Sequence, residues 1–342
     1  TSVRIVIDGS PRPHLVYDYW IVDDPALARE APARPKTPPV PGEPPFTVHG
    51  NGDGALQPGE AVLLAVRVRN DGPGDAGDVR TLLRNRSGAQ ALLEEGFFEL
   101  GAIKAGGAAT GAFGISVSDK AIVDKPVELE LAVADVGLRE SAQHTFELRV
   151  VGPREPLRLG QARVQVKEPA RIYNAADARA SVIGQLAAGE LIDVVGETGG
   201  WRALALPGGR RGFVPESLVA EAKGKAKAPT LDAAIVTPPR VELDPVETVV
   251  AGATITVHGV ARHPRKAHDV VVSVKPAGPA QVEKKLFYRA NDAREGEALR
   301  ALEFSAEVPL TPGSNEIYVT ARDGDEVEAT RVLRVFRDDQ AR

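Results

Sequence analysis

The chain has 342 residues, which exceeds the usual size of a single domain and predicts several domains. Its 34 glycines and 27 prolines favour short strands joined by turns over long helices. A net charge of −5 with both signs interspersed argues against a nucleic-acid-binding protein. The longest apolar run, residues 61–66, is far shorter than the roughly 20 residues that a membrane span needs. Without cysteine, the chain has no disulfides and no thiolate metal sites.

The N-terminal residues predict a strand at positions 3–7, which the Pro-rich sequence after it ends. Because the chain does not start with methionine and this strand has no partner before it, we expect residues 1–13 to end a truncated upstream domain. The next strand, residues 15–22, is aromatic and β-branched. Eight prolines between positions 24 and 46 then predict an extended loop.

Residues 60–151 alternate between apolar and polar side chains, as Val62, Leu64, Val66 and Val68 do against Arg67 and Arg69. This pattern predicts antiparallel strands with one face in a core and one face in water. Together with the strand at 15–22 and the Pro-rich loop 24–46, it predicts an immunoglobulin-like, adhesion-type β-sandwich over residues 14–152.

The rest of the chain divides into a region of short strands, a linker and a second region of long strands. Short strands and tight turns over residues 160–222 predict a small barrel. Lysines and prolines make residues 223–239 a linker, and long alternating strands over residues 240–337 predict a second sandwich. Between positions 291 and 303 we expect a hairpin loop rather than a helical turn. The predicted fold is all-β, with two immunoglobulin-like β-sandwiches flanking a small SH3-like barrel and Pro-rich linkers.

The barrel region resembles the bacterial SH3 domain family in the order of four sequence blocks, at residues 170–174, 181–189, 200–204 and 209–214. This resemblance implies binding of peptides or peptidoglycan without catalysis. Three aromatic residues are candidates for a shallow ligand-binding groove, because aromatic side chains give a large contact area at low entropic cost: Tyr173, Trp201 and Phe213. The alternative is that Trp201 and Phe213 form the core of the barrel.

A glycine-rich loop precedes the first long strand, and its region resembles adhesion-type bacterial immunoglobulin-like domains. Residues 49–60 also nearly fit a twelve-residue calcium loop, with Asn51, Asp53 and Glu60 as candidate calcium ligands. His49 takes the first position, where such a loop needs an aspartate. The alternative is a turn that leads the chain into the strand without a metal.

The whole chain resembles the C-terminal, non-catalytic region of bacterial C-terminal processing (tail-specific) serine peptidases. The features that carry this resemblance are Pro11-Arg12-Pro13, the aromatic strand, the loop at 51–60, the SH3-like blocks and the sequence at 308–315. The resemblance implies a periplasmic or extracellular region that binds a peptide, a protein or peptidoglycan for a serine-type peptidase.

No position matches the nucleophile motif of that family or another catalytic motif, so we expect no enzymatic activity in this chain. Two alternatives remain at this stage. One is a stand-alone cell-wall or protein-binding adhesin of the envelope. The other is an enzyme with a new active site, which a cleft lined by perturbed carboxylates would support.

Overall fold

The computed structural model describes residues 11–29, 32, 46–207, 210–231, 235–276, 282–324 and 326–338. The strand predicted at residues 3–7 and most of the Pro-rich loop lie outside these ranges. The all-β prediction is confirmed. The helical elements of the described residues are the α-helices α1 (Pro25–Ala28) and α2 (Glu297–Arg300) and the 3₁₀ turns Gly88–Gln90 and Glu216–Leu218. The segment 291–303 contains one helical turn, α2, so the expectation of a hairpin loop without a helical turn is wrong there.

The first sandwich has eight strands: β1 (Leu15–Val22), β2 (Ala61–Asn70), β3 (Ala76–Asn85), β4 (Ala91–Leu93), β5 (Phe97–Ile103), β6 (Ala108–Val117), β7 (Val127–Asp135) and β8 (Glu140–Leu148). One sheet has the order β1-β2-β6-β4, and the facing strands have the order β8-β7-β3-β5. Side chains from both sheets form the core, including Leu64 and Phe113 from one and Leu83 and Leu129 from the other.

Strand β2 departs from the predicted alternation because both of its faces are covered. Leu63 and Ala65, on the face predicted to be wet, are buried in a second cluster with Trp20 and Val22 of β1. Leu27 of α1 packs against that cluster, and so does Phe46 of the loop before β2. On this face, the strand is exposed to solvent near its C-terminal end, at Arg67.

The barrel also has eight strands: β9 (Arg158–Val166), β10 (Ala170–Tyr173), β11 (Val182–Leu186), β12 (Leu191–Thr198), β13 (Trp201–Leu206), β14 (Arg210–Pro215), β15 (Val219–Glu221) and β16 (Thr230–Leu231). They form one strongly bent sheet in the order β15-β9-β12-β13-β14-β10-β11-β16. A small aliphatic core, with Ile172, Leu186 and Ile192 among its largest buried side chains, fills it.

The second sandwich contains β17 (Arg240–Leu243), β18 (Val249–Val250), β19 (Thr254–Arg262), β20 (Asp269–Lys275), β21 (Lys284–Ala290), β22 (Ala301–Pro309), β23 (Gly313–Arg322) and β24 (Val327–Arg337). Its smaller sheet is β17-β19-β22, and the facing strands run β21-β20-β23-β24. Val257 and Phe304 of the smaller sheet share a core with Val272 and Val319 of the larger.

One continuous sheet joins the two sandwiches, because β24 of the second pairs with β8 of the first. The antiparallel register runs from Val327 opposite His144 to Arg331 opposite Glu140. Beyond both ends of this ladder, the Thr145 N–H donates to the Glu326 carbonyl at 2.9 Å and the Val332 N–H donates to the Arg139 carbonyl at 3.1 Å. Val327 is buried in the core of the first sandwich, so the joint has both backbone and apolar contacts.

The segment between the barrel and the second sandwich makes a further contact with the first sandwich. Tyr17 of β1 and Val236 exchange two backbone hydrogen bonds of 3.0 Å, and the Ile235 N–H donates to Asp18 Oδ1 at 2.9 Å. Ile235 packs against the cores of both the first sandwich and the barrel. This end of the predicted linker is thus held against β1.

Replacing Thr330 by proline is expected to uncouple the two sandwiches. The alternation of antiparallel hydrogen bonds, fixed by the bonds at Glu326 and Val332, points the Thr330 N–H at β8. Proline removes this donor and leaves the carbonyl of Ser141, opposite Thr330, without its partner, at a cost of about 1–3 kcal/mol. We expect calorimetry to show the sandwiches unfolding at more widely separated temperatures than in the wild type.

The matched control is Thr330→Val, which keeps the backbone donor and removes the hydroxyl that lies 2.8 Å from the Thr320 hydroxyl. This variant should keep the wild-type profile. If the proline and valine variants gave the same profile, the β8–β24 ladder would not be what couples the sandwiches.

Candidate ligand-binding face of the barrel

Two of the three candidate aromatic residues form a pair at the surface of the barrel. Tyr173 ends β10 and Trp201 begins β13. Their ring centroids are 5.4 Å apart at an angle of 83°, an edge-to-face arrangement of the kind that stabilises aromatic pairs. Both side chains are half-buried, so the pair presents aromatic surface to solvent.

Phe213, the third candidate, lies in the interior. It faces Tyr173 in the β10–β14 pairing, but its side chain is only 1% exposed. It packs with Ala176 and Ala203, and Leu157 and Trp201 contact the same cluster. Phe213 therefore contributes no accessible surface to a groove, as the alternative interpretation expected, and supports Trp201 from below.

A loop of the first sandwich covers the barrel next to Phe213. A Cβ atom on Gly54 would lie 2.9 Å from the Asn174 carbonyl oxygen and 3.3 Å from Phe213 Cε2. With φ at +74°, this position suits glycine on both steric and backbone grounds. The loop therefore approaches the barrel as closely as a backbone can.

Backbone hydrogen bonds hold this loop on the barrel side. The Ala176 N–H donates to the Asp53 carbonyl at 2.8 Å, and the Leu157 N–H donates to the Asn51 carbonyl at 2.7 Å. Arg211 of β14 also reaches Asp24, with 2.7 Å between Nη2 and Oδ2. The sequence predicted a loop that serves β2, whereas the structure shows a loop that also docks the barrel.

The three predicted calcium ligands lie together in this loop, and their oxygens accept hydrogen bonds from the chain around them. Asp53 Oδ1 accepts from the Ala55 N–H at 2.8 Å, and Asp53 Oδ2 lies 3.2 Å from Arg154 Nη1. The two carboxylate oxygens of Glu60 accept from the N–H groups of Asn51 and Gln57. Asn51 Oδ1 accepts from the Asp53 N–H at 3.0 Å.

Asp23, which the sequence analysis did not identify, lies beside Asp53 and Glu60, and the three form a group of buried acids. Asp23 follows β1, and its Oδ2 accepts from the Gly54 N–H at 2.9 Å. A Cβ on Gly50 would lie 2.8 Å from the Asp23 Cβ and 3.2 Å from Glu60 Oε1, which places both acids against one backbone. The sequence contains no spacing signal for this contact, because only the β1–β2 pairing brings the two segments together.

Burial and mutual repulsion raise the pKa values of these acids. Burial, and then the charge of Asp53, raise the pKa of Asp23 to about 7. Burial, and then the charge of Asp23, raise the pKa of Glu60 to about 8. Burial also raises the pKa of Asp53, although Arg154 opposes the shift. The group thus favours bound protons near neutral pH, as expected for like charges in a dry site.

Calcium prefers six to eight oxygen ligands, and carboxylates of this kind are among them. Among the residues that the structure describes, no group of three or more His, Cys, Asp and Glu side chains has an arrangement that would hold a metal ion. Calcium binding by Asn51, Asp53 and Glu60 stays a prediction.

A rise in melting temperature on adding calcium, absent in Asp53→Asn, would support it, and equal melting in calcium and in chelator would argue against it.

The raised pKa values predict that the protein loses stability as the pH rises towards 8. The native state keeps protons on Asp23 and Glu60 that the unfolded chain has released, so this contribution is complete below about pH 4 and lost as the pH passes about 7 and 8. For Asp23, the expected slope between these limits is about 1.4 kcal/mol per pH unit. Urea denaturation across this range measures it.

The Asp23→Asn variant should remove the part of the slope that Asp23 contributes and leave the part from Glu60, whose pKa is raised mainly by burial, since an amide oxygen still accepts the Gly54 N–H but does not titrate. The control is Asp292→Asn, at an exposed acid of the second sandwich, which should keep the wild-type slope. A wild-type slope in Asp23→Asn would show that Asp23 is not the titrating group.

The two roles of the aromatic residues predict different responses to truncation. Phe213→Ala should reduce the stability of the barrel by about 3–5 kcal/mol, because it leaves a cavity in a closed core. Tyr173→Ala should cost less, because its side chain is only half-buried. Urea denaturation followed by Trp201 fluorescence, in a Trp20→Phe background, measures both. Equal losses would contradict the assignment of Phe213 to the interior and Tyr173 to the surface.

Comparison with known proteins gives a family match within the barrel. A family profile described as bacterial SH3 domain matches residues 166–221, which include Tyr173, Trp201 and Phe213. No curated protein matches the chain. No helix in the described part of the chain is long and apolar enough to cross a membrane.

Two of the solved structures that match are larger proteins. The secreted serine protease VesC from Vibrio cholerae aligns over 83% of this chain and 49% of its own, at 10% identity and a TM-score of 0.21. The dimeric latent PorU from Porphyromonas gingivalis aligns over 94% of this chain and 34% of its own, at the same identity and TM-score. This chain thus spans about half and about a third of their lengths, and similarity at this level carries no functional argument.

Proposed function

We propose that this chain is a non-catalytic binding region that recognises a peptide, free or as part of peptidoglycan, through the Tyr173–Trp201 face of its barrel. The observation that carries the proposal is the bacterial SH3 match together with a half-exposed aromatic pair inside it. An edge-to-face pair offers two nearly perpendicular apolar ring surfaces of fixed geometry, which suit the backbone and aliphatic groups of an extended peptide.

The position of the loop at residues 51–54 supports a shallow site. Because this loop lies over the Phe213 side of the barrel, a ligand has access to Tyr173 and Trp201 without displacing it. A cleft of about 280 Å³ between the barrel and the first sandwich is lined by Asn174, the residue after Tyr173, and by charged side chains of both signs, among them Arg149, Arg179 and Asp177. A peptide on the aromatic pair therefore has polar surface within reach.

In the same proposal, the chain serves a secreted or periplasmic processing serine protease by binding substrate or cell envelope. The support is the resemblance of the whole chain to the accessory region of tail-specific peptidases, together with the lack of catalytic motifs in its sequence. The alternative is a stand-alone envelope protein that uses the same barrel. Sequencing the gene upstream of the Thr1 codon separates the two, because a serine–lysine peptidase core is expected only in the first case.

The binding proposal predicts a change in Trp201 fluorescence. Trp20 is buried and Trp201 is half-exposed, and the chain has two tryptophans, so Trp20→Phe leaves Trp201 as the only reporter. Soluble muropeptides and, in a separate titration, a short unstructured peptide should shift its emission to shorter wavelength as the ring leaves water. Tyr173→Ala should weaken binding by about tenfold or more.

The matched control is Tyr288→Ala, which removes an exposed aromatic side chain from the second sandwich, where it contacts Lys285. It should bind like the parent. The two probes separate a ligand in the cell wall from a protein ligand. Binding of neither probe, or an equal loss in both alanine variants, would contradict the assignment of the site to Tyr173 and Trp201.

A further inference from the structure

A groove of about 300 Å³ lies where the two sandwiches meet, well outside the barrel. Its walls come from the chain before β1, the start of β8, the middle of β24 and residues 238–243, which include β17. Most of its lining is apolar, with His14 at one side. The charged side chains that line it are Arg12, Arg240, Arg331, Asp135, Glu140 and Glu242.

Two of the three acids in the groove are engaged elsewhere. Asp135 is 1% exposed and accepts hydrogen bonds from the N–H groups of Gly77 and Leu138 at 2.8 and 3.0 Å. Glu242 pairs with Arg262, at 3.1 Å. Asp135 keeps its negative charge but faces backbone N–H groups, so Glu140 is the acid that contacts the arginines of the groove.

Glu140 is shared between two of those arginines. Its Oε1 lies 2.7 Å from Arg12 Nη1 and 3.5 Å from Arg331 Nε. The Arg331 side chain is 13% exposed, and its burial, and then the nearby charge of Arg12, lower its pKa. For Arg240, the described part of the chain provides neither an ion pair nor a side-chain hydrogen bond. With Arg262, which pairs with Glu242, four arginines lie in or beside the groove against three acids, and Arg240 is the one without a carboxylate partner among the described residues.

A free strand edge runs along the same groove. Strand β17 is the last strand of its sheet and pairs on one side with β19. The Asp244 N–H donates to the His258 carbonyl at 3.0 Å, so the antiparallel alternation turns the N–H groups of Val241 and Leu243 away from β19. The Val241 carbonyl lies 3.5 Å from Arg331 Nη1, which places this open edge beside the cation.

We propose that this groove binds an extended acidic peptide, which adds a strand to the free edge of β17 and places a carboxylate against Arg240 and Arg331. Strand addition supplies backbone hydrogen bonds, and the arginines supply the charge selection that the edge alone lacks. A carboxylate there pairs with Arg240, which has no carboxylate partner among the described residues, and adds a second acid beside Arg331. The site is separate from the aromatic face of the barrel, so it does not depend on the function proposed there.

The probe is a fluorescein-labelled short peptide of alternating valine and glutamate, whose binding to the full chain is followed by fluorescence anisotropy. We expect saturable binding that a lysine-for-glutamate peptide lacks. Arg240→Ala should weaken it by about tenfold or more, and Arg240→Lys should restore part of the affinity. The charge-matched control is Arg171→Ala, at an exposed position of the barrel, which should leave binding unchanged.

Two peptide modifications test the two halves of the proposal. Methylation of alternate backbone nitrogens should abolish binding if the peptide pairs with β17. Free-acid and amidated C-termini distinguish a terminal carboxylate from side-chain carboxylates as the group on the arginines.

The proposal is overturned if the wild type does not bind the acidic peptide, or if Arg240→Ala and Arg171→Ala weaken binding equally. It is also overturned if backbone methylation has no effect. Self-association of the wild type that Arg240→Ala abolishes would assign the groove to a second copy of the chain and overturn it as well.

Discussion

The antiparallel pairing of β8 with β24 is the interaction on which the arrangement of the two sandwiches depends. Without it, each sandwich would expose the unpaired backbone groups of an edge strand, which water satisfies but which also invite other chains. The pairing satisfies both edges, and Val327 adds apolar contact with the core of the first sandwich. Its register also sets Arg331 opposite Glu140. The positive groove at the junction is therefore a direct consequence of how the two sheets join.

The barrel is attached by different chemistry. Its contact with the first sandwich consists of backbone hydrogen bonds from the loop at residues 51–54, ion pairs such as Arg211–Asp24, and a small apolar cluster of Ala55, Val151 and Ala175. Three buried acids lie in or beside that loop. This joint contains Asp23 and Glu60, whose pKa values are raised to about 7 and about 8. The position of the barrel is thus coupled to the protonation of these two acids.

The strands were predictable because period-two alternation reports directly on burial, as Val62, Leu64 and Val66 illustrate. The prediction of one wet face for β2 was wrong where Leu63 and Ala65 are covered by side chains of β1 and α1, which are distant in sequence. For the site, the residue types were predictable and their surroundings were not. Tyr173 and Phe213 are equivalent as aromatic residues in a sequence. Packing against Ala176 and Ala203, together with the loop at residues 51–54, makes Phe213 an interior residue. Asp23 carried no signal at all, because its role arises from strand pairing.

The loop that covers Phe213 also determines how the barrel presents its ligand-binding face. A ligand that needs the Phe213 side must first break the hydrogen bonds from Ala176 and Leu157 to the loop, whereas a ligand on Tyr173 and Trp201 leaves them intact. Because bound protons on Asp23 and Glu60 avoid repulsion in the docked loop, lower pH stabilises the covered state and higher pH weakens it. Proton release therefore acts first on the covered half of the face and reaches the aromatic pair through the contact of Trp201 with the Phe213 cluster. The covered half and the open half of one small barrel thus respond differently to the same change in solution.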